Sequence, residues 1–313
     1  MPEPTVSIII PTYKHRDFVL ATLDSVFAQT FTDYEVIVIN DGSPDDTAAV
    51  LRPLAEAGRI RYIEQANTGQ SKARNRGISE ARGEFIALLD DDDLWPPDKL
   101  EWQVAAMAHH PEAGVIAGLA DIMDVNGHHL YWTDFVPEFT FESTLVRCPF
   151  TSPGQTLIRA SLLREVGGLD PSIWGTDDWD LWLRIAKKSR ILSEERSALL
   201  YRRHEGNASQ DFCRMLDNSC QVLEIHLADV AVESRQKIRK AAYRWLYGYL
   251  GGPMIDKIKQ SVKAGNYPQA KLYTKCLGKL GCVLFSDSFT LNRFIRHLLP
   301  KRISALLPEL PSY

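Results

Sequence analysis

The sequence predicts an α/β fold: a mostly parallel central sheet, followed by a helical C-terminal module. Three observations lead there. The first two thirds of the chain alternate short β-branched runs with stretches of helical periodicity. Those runs are continuously apolar, as in strands covered on both faces. Beyond about residue 212 the chain turns helix-rich and basic, so domains are expected at 1–212 and 213–313.

"VSIII" (6–10) reads as a buried strand that Pro11 ends. Residues 18–27 carry Leu23, Val26 and Phe27 at helical spacing. "YEVIVIN" (34–40) is a second strand, after which Ser43 is expected to cap a helix with Pro44, Asp45 and Asp46 in its first turn. "IRYIE" (60–64) is a third strand, 71–81 a helix, and "EFIALL" (84–89) a fourth strand. "PPDKLEWQVAAMAHH" opens a helix with proline where proline is tolerated. After residue 113 the pattern is less regular: Asn126-Gly127 marks a hairpin turn, and "QTLIRASLLREVGGLD" reads as strand, short helix and glycine stop. "DDWDLWLRIAKK" (177–188) is an amphipathic helix with Trp179, Leu183 and Ala186 on one side.

Hydrophobic residues at 45% and charged residues at 24% are ordinary for a soluble globular chain. The net charge of -4 hides an asymmetry: Arg235 to Arg302 holds 15 Lys or Arg against Asp256 and Asp287 alone. That points to a module facing an anionic surface. "FTLNRFIRHLLPKRISALL" (289–307), with apolar and basic residues interleaved, is expected to bind anionic membranes peripherally. The five cysteines form no CxxC pair, which suggests unpaired thiols in a reducing cytosol. No secretory leader and no membrane-spanning helix are expected. The expected location is cytoplasmic, peripheral on the inner face of the plasma membrane.

Ligands of an open α/β sheet bind beyond the carboxyl ends of its strands. Three polar clusters fall there: Pro11-Thr12-Tyr13, Asn40-Asp41-Gly42-Ser43, and Asp90-Asp91-Asp92-Asp93. Four neighbouring carboxylates repel one another, and a surface turn needs only one of them. Hard divalent cations, Mn²⁺ or Mg²⁺, take such oxygen ligands together with substrate phosphates. There is no GxxxxGK[ST] and no GxGxxG, so kinase-like and dinucleotide-dependent dehydrogenase readings lack support.

"VSIIIPTYK", "VIVINDGSPDDT", "NTGQSKARNRGI", "GEFIALLDDDDLWPPDKLE" and "DDWDLWLR" resemble, in order and spacing, the motifs of family 2 glycosyltransferases. The resemblance covers roughly residues 5–205. It implies the GT-A fold and an inverting transfer from a nucleotide-diphospho-sugar, with a UDP-sugar as the expected donor. It also implies roles for individual residues. Pro11, Thr12 and Tyr13 line the base, and Asp41 accepts a uracil-type imide N–H. Arg74 approaches the nucleotide. Asp90 and Asp91 belong to the D-x-D region, with Asp91 near ribose or sugar and Asp92 as metal ligand. Asp178 matches the catalytic base, although Asp177 stands where the family's motif has Glu. His204, in "YRRHEGNAS", corresponds to a position that some relatives place near the metal or diphosphate, and it is expected to be a second metal ligand beside Asp92. Asp93 is expected to cap the next helix.

Processive members carry QxxRW and transmembrane helices. Here Ala241 precedes Arg244-Trp245, which argues for single-sugar transfer. A glycan or lipid-linked acceptor of the cell envelope is the expected partner, and no nucleic acid is. The rival from another class is a catalytically silent nucleotide-sugar or lipid-surface binding protein. A nucleotidyltransferase would show a glycine-rich triphosphate loop after its first strand, and "PTYKHRD" lacks the glycines.

Overall fold

The computed structural model describes residues 3–284. The expected basic tail at 289–307 lies outside them. The chain divides into two compact units. One holds residues up to Thr144 and Cys148–Asn207; the other begins at Ala208 and includes Leu145–Arg147. The sequence reading placed its boundary after residue 212.

The first unit runs β1 (Val6–Thr12), α1 (Arg16–Phe27), β2 (Tyr34–Asn40), α2 (Thr47–Glu56), β3 (Arg61–Glu64), α3 (Gln70–Glu80), β4 (Phe85–Leu88) and α4 (Lys99–His109). It continues with β5 (Ala113–Met123), β6 (His129–Trp132), β7 (Glu138–Phe139), the start of α5 (Phe141–Val146, whose last two residues belong to the other unit), β8 (Thr156–Arg159), α6 (Ala160–Glu165), α7 (Asp177–Ala186) and β9 (Arg190–Arg202). The nine strands form one sheet in the order β3-β2-β1-β4-β8-β5-β9-β7, with β6 paired to β5. β3, β2, β1 and β4 are mutually parallel. β8 is antiparallel to both β4 and β5, so β5 runs in the same direction as β4. β9 lies parallel to β5.

The strand period of two divides the core between the two faces. Ile8, Ile10, Val36, Val38 and Ala87 pack with α1, α2 and α4 on one side. Ile9, Ile37, Ile39, Ile86 and Leu88 pack with α3, α6 and α7 on the other. Both faces are covered, which is why these strands read as continuous apolar runs.

α3 lies so close to β1 that a Cβ on Gly77 would sit 2.3 Å from Ile9 Cγ2. Gly77→Ala is therefore expected to destabilise the protein by about 1–3 kcal/mol. The check is a lower urea midpoint at unchanged m-value.

Three local expectations are corrected. β1 continues through Pro11 to Thr12, because β4 pairs only Val6–Ile9 and leaves β1 a single neighbour beyond. A residue without an N–H is tolerated where one side of a strand is unpaired. Ser43 does not cap α2; its N–H donates to Asn40 Oδ1 (2.9 Å) and its Oγ accepts from Lys14 N–H (3.1 Å), while the helix starts at Thr47. Asp93 does not cap α4, whose first turn follows Asp98.

The second unit contains α8 (Phe212–Leu227), α9 (Val232–Leu246), α10 (Gly252–Lys263) and α11 (Tyr267–Leu284), with a π-helical turn at Tyr247–Gly251. Leu216, Leu223, Leu246, Met254, Ile258 and Leu280 are buried there. Cys213 and Cys276 form a disulfide between α8 and α11, with 5.7 Å between their Cα atoms. This overturns the expectation that every cysteine is unpaired; Cys148 and Cys220 are free thiols. No helix among the described residues is long and apolar enough to cross a membrane.

Candidate active site

The parallel strands bring the carboxyl ends of β1, β2 and β4 to one sheet edge. Pro11–Tyr13, Asp41 and the four aspartates meet there. The aspartates do not share one partner; they diverge, and each finds its own donor.

Asp90 pairs with the buried Arg74 guanidinium and accepts from Gln70 Nε2 (3.1 Å) and Ser152 Oγ (3.3 Å). Asp91 Oδ1 lies 2.7 Å from His15 Nδ1, and its Oδ2 accepts from Tyr13 N–H at 3.3 Å. Asp92 Oδ2 lies 2.9 Å from His204 Nε2 and 3.4 Å from Asn207 Nδ2. Asp93, fully buried, accepts from Arg202 N–H at 2.9 Å, and its Oδ2 has no partner among the described residues. Arg202 Nε also donates to Asp92 O at 3.1 Å. Each carboxylate thus has its own neighbour: Arg74 for Asp90, His15 for Asp91, His204 for Asp92 and the Arg202 N–H for Asp93.

His15 is raised to about 9, chiefly by its hydrogen bond to Asp91 and despite burial. Burial pushes the Asp93 carboxyl well above the usual range, with Asp92 repelling its charge.

One ligand atom each from His15, Asp91 and Asp92 lie within 4.8 Å of one another. Two carboxylates and an imidazole suit Mn²⁺ or Mg²⁺ and leave positions for phosphate oxygens. His204 reaches this group through Asp92 rather than standing in it. Sequence reasoning missed His15, which falls in "PTYKHRD" just after β1. A lone loop histidine has no spacing signature; its position beyond a strand end was the only signal.

Asp41 is buried, and its carboxylate holds the loop before α3. Oδ1 accepts from Gln65 Nε2 (2.8 Å) and Thr68 N–H (3.0 Å), and Oδ2 accepts from Gly69 N–H (2.8 Å). A carboxylate oxygen has two lone pairs, so Oδ2 retains one for a ligand. Gly42 has φ +71°, and a Cβ there would lie 2.8 Å from Asn67 N, so the turn after Asp41 requires glycine.

The second acidic cluster opens α7. Asp177 is buried, accepts from Ser71 Oγ at 2.7 Å and faces Arg74 Nη1 at 3.6 Å. Arg74 therefore spans Asp90 and Asp177, tying the β4 aspartates to the start of α7. Its Nε has no partner among the described residues. Asp180 is taken by Arg184 (2.7 Å) one turn on. Asp178 differs from both. It is half-buried, its Oδ1 accepts from Trp179 N–H at 2.7 Å, and among the described residues no hydrogen bond occupies Oδ2. Burial first, then repulsion by Asp177, raise it to about 7, partly countered by Arg74.

The model for "Glycosyl transferase family 2" matches residues 7–167, half of the chain. The chain belongs to glycosyl transferase family 2. This family 2 glycosyltransferase is 30% identical over 221 residues to an uncharacterized glycosyltransferase of Rickettsia typhi, a match covering 69% of each. Some relatives are longer; the match spans 36% of an uncharacterized Rickettsia bellii glycosyltransferase. It is also 31% identical over 196 residues to TuaG of Bacillus subtilis, a candidate teichuronic acid biosynthesis glycosyltransferase, covering 59% of this chain and 73% of TuaG. Among solved structures it is similar to residues 1–349 of S. aureus TarS in complex with UDP-GlcNAc. The TM-score is 0.65 at 18% identity, over 94% of this chain and 88% of TarS 1–349. A mannosyltransferase from Pyrobaculum calidifontis, in complex with GDP-Man and Mn²⁺, gives a TM-score of 0.58 at 20% identity, over 98% and 88% of the two chains. At those identities the likeness is one of fold: a GT-A sheet with C-terminal helices.

Proposed function

We propose that this glycosyltransferase moves one sugar from a nucleotide-diphospho-sugar, with UDP as the expected nucleotide, to an acceptor hydroxyl with inversion. A cell-envelope glycan is the expected acceptor class. The observation that carries the reading is Asp178: a half-buried carboxylate with one oxygen unoccupied among the described residues and a pKa raised to about 7, joined through Asp177 and Arg74 to the β4 aspartates.

Asp178 takes the proton of the acceptor hydroxyl. The acceptor oxygen bonds to C1 as the bond from C1 to the diphosphate oxygen breaks on the opposite face. The pair leaves on the diphosphate. Asp92, Asp91 and His15 would hold Mn²⁺ or Mg²⁺, with His204 orienting Asp92. A bound divalent cation neutralises the diphosphate and stabilises it as a leaving group. Arg74 holds Asp90 and Asp177 apart from this work, positioning both acidic segments. Asp41 Oδ2 and the backbone of Pro11–Tyr13 receive the base.

Two experiments test this reading. UDP with Mn²⁺ should raise the melting temperature, whereas UDP with a chelator should raise it less. A flat response across UDP, dTDP and GDP with Mn²⁺ would sink the donor assignment. A base must be ionised to act, and Asp178 ionises as pH rises through about 7. So kcat/KM should climb through that pH and level off above it, with the value at pH 6 about tenfold below the plateau. A profile flat down to pH 5 would remove Asp178 from the role.

A further inference from the structure

Lys99 is fully buried, yet no carboxylate pairs with it among the described residues. Its Nζ donates to Thr156 O at 3.1 Å and stands 3.8 Å from the centroid of the Trp95 ring. Burial alone pushes its pKa well below the usual lysine range. A buried, unpaired cation is costly, and a methionine would fill much the same space at less cost. What the lysine adds is its nitrogen, which donates whether or not it carries a charge.

Trp95, Lys99 and Gln103, all buried, stand four residues apart just before and within the first turns of α4. Their donors end on three successive carbonyls: Trp95 Nε1 on Gly154 O (2.9 Å), Gln103 Nε2 on Gln155 O (2.9 Å) and Lys99 Nζ on Thr156 O (3.1 Å). Thr156 Oγ1 donates to Pro153 O (2.8 Å). The short turn they grip, Pro153–Gln155, is also capped: Ser152 Oγ accepts from Gly154 N–H (3.2 Å), and Gln155 Oε1 accepts from Thr151 N–H (2.7 Å). A Cβ on Gly154 would lie 2.7 Å from Leu199 Cδ1. Every residue from Ser152 to Thr156 is buried.

The turn meets the acidic clusters at Ser152, whose Oγ donates to Asp90 Oδ2 at 3.3 Å. Asp90 pairs with Arg74, and Arg74 faces Asp177, the neighbour of Asp178. Asp91 and Asp92 have other partners: His15, Tyr13, His204 and Asn207. We propose that Lys99 is a positioning residue: its buried nitrogen, with Trp95 and Gln103, locks the Ser152–Thr156 turn, which through Asp90 and Arg74 sets the place of Asp178. The role of Asp178 in this proposal rests on the transferase reading above. A misplacement of about 1 Å can cost about 10² in rate, so a rigid turn behind the base matters to turnover.

Lys99→Met removes the nitrogen and nearly keeps the volume. The first test needs no substrate. Carboxyl carbon NMR, with the Asp178 signal assigned from Asp178→Asn, follows Asp178 through pH in parent and variant. Asp177 and Asp90 raise Asp178, Arg74 opposes them, and the Cys148 thiol feels its charge. With Asp90 released from Ser152, Arg74 withdraws from α7, and the Asp178 midpoint should rise by about half a pH unit. An unchanged midpoint overturns the proposal. The second test is turnover of UDP-glucose, UDP-galactose or UDP-N-acetylglucosamine with water as acceptor, whichever the parent hydrolyses fastest. kcat should fall about tenfold while affinity for UDP with Mn²⁺ stays the same. Ser152→Ala should lower kcat too, and the double variant should lose no more than the larger single loss. Losses that multiply, or an equal loss of UDP affinity, make Lys99 merely structural and overturn the proposal. If the parent neither binds UDP with Mn²⁺ nor hydrolyses any of the three sugars, the transferase reading fails, while the titration still decides the positioning. Where Lys99→Met does not fold, Trp95→Phe, which takes only the indole N–H from Gly154 O, carries both tests.

Discussion

Asp178→Asn is expected to remove nearly all sugar transfer while leaving donor affinity almost unchanged. An acceptor hydroxyl is a poor nucleophile until its proton is leaving, and a positioned base contributes about 10² to 10⁴ in rate. Asparagine keeps the size and the hydrogen bond from Trp179 N–H but takes no proton. The proposed donor contacts belong to other residues, Asp92, Asp91 and Asp41 among them, so binding should persist. Lower kcat at constant donor affinity is the pattern of an interaction made chiefly in the transition state. Asp177→Asn should be milder, because Asp177 is occupied by Ser71 and faces Arg74. If Asp177→Asn is dead and Asp178→Asn active, the base is Asp177.

Asp92→Asn should have the second largest effect. It removes one of the two carboxylates in the group His15, Asp91 and Asp92. Metal-dependent UDP binding should be lost, with the fold intact. Stability without ligand should hold or rise, because one buried like charge disappears between Asp91 and Asp93. Titration calorimetry with UDP and Mn²⁺ reads the first effect and a urea melt the second. Affinity equal to the parent's would place the metal elsewhere.

Much of the fold was legible because β1 to β4 are covered on both faces. "YEVIVIN" could be bounded from its own residues, and β2 is Tyr34–Asn40. The second half was harder. β9, "RILSEERSALLYR", mixes buried and exposed positions along its thirteen residues, so no clean run marks it. Pro11 inside β1 could not be read locally; it depends on where β4 stops pairing. Cys213 and Cys276 lie 63 residues apart with no motif between them, and only the packing of α8 on α11 brings them together.

The site divides the same way. The aspartates and Asp178 stood out through strand-end position and resemblance. Their partners did not. His15 reaches Asp91 across 76 residues, Ser71 reaches Asp177 across 106, and Arg202 reaches Asp93 across 109. Those distances in sequence carry no periodic signal, so the division of labour among four adjacent aspartates is a tertiary property. Asp93 shows the consequence: local logic made it a helix cap, while the fold buries it against Arg202 N–H.

The most direct test is the stereochemistry of donor hydrolysis without acceptor, followed by proton NMR. UDP-linked α-sugars are supplied with Mn²⁺, and water stands in for the acceptor hydroxyl. The account predicts that the sugar first appears as its β-anomer, and that the signal fades in Asp178→Asn. Initial release of the α-anomer, or undiminished release by Asp178→Asn, would contradict it.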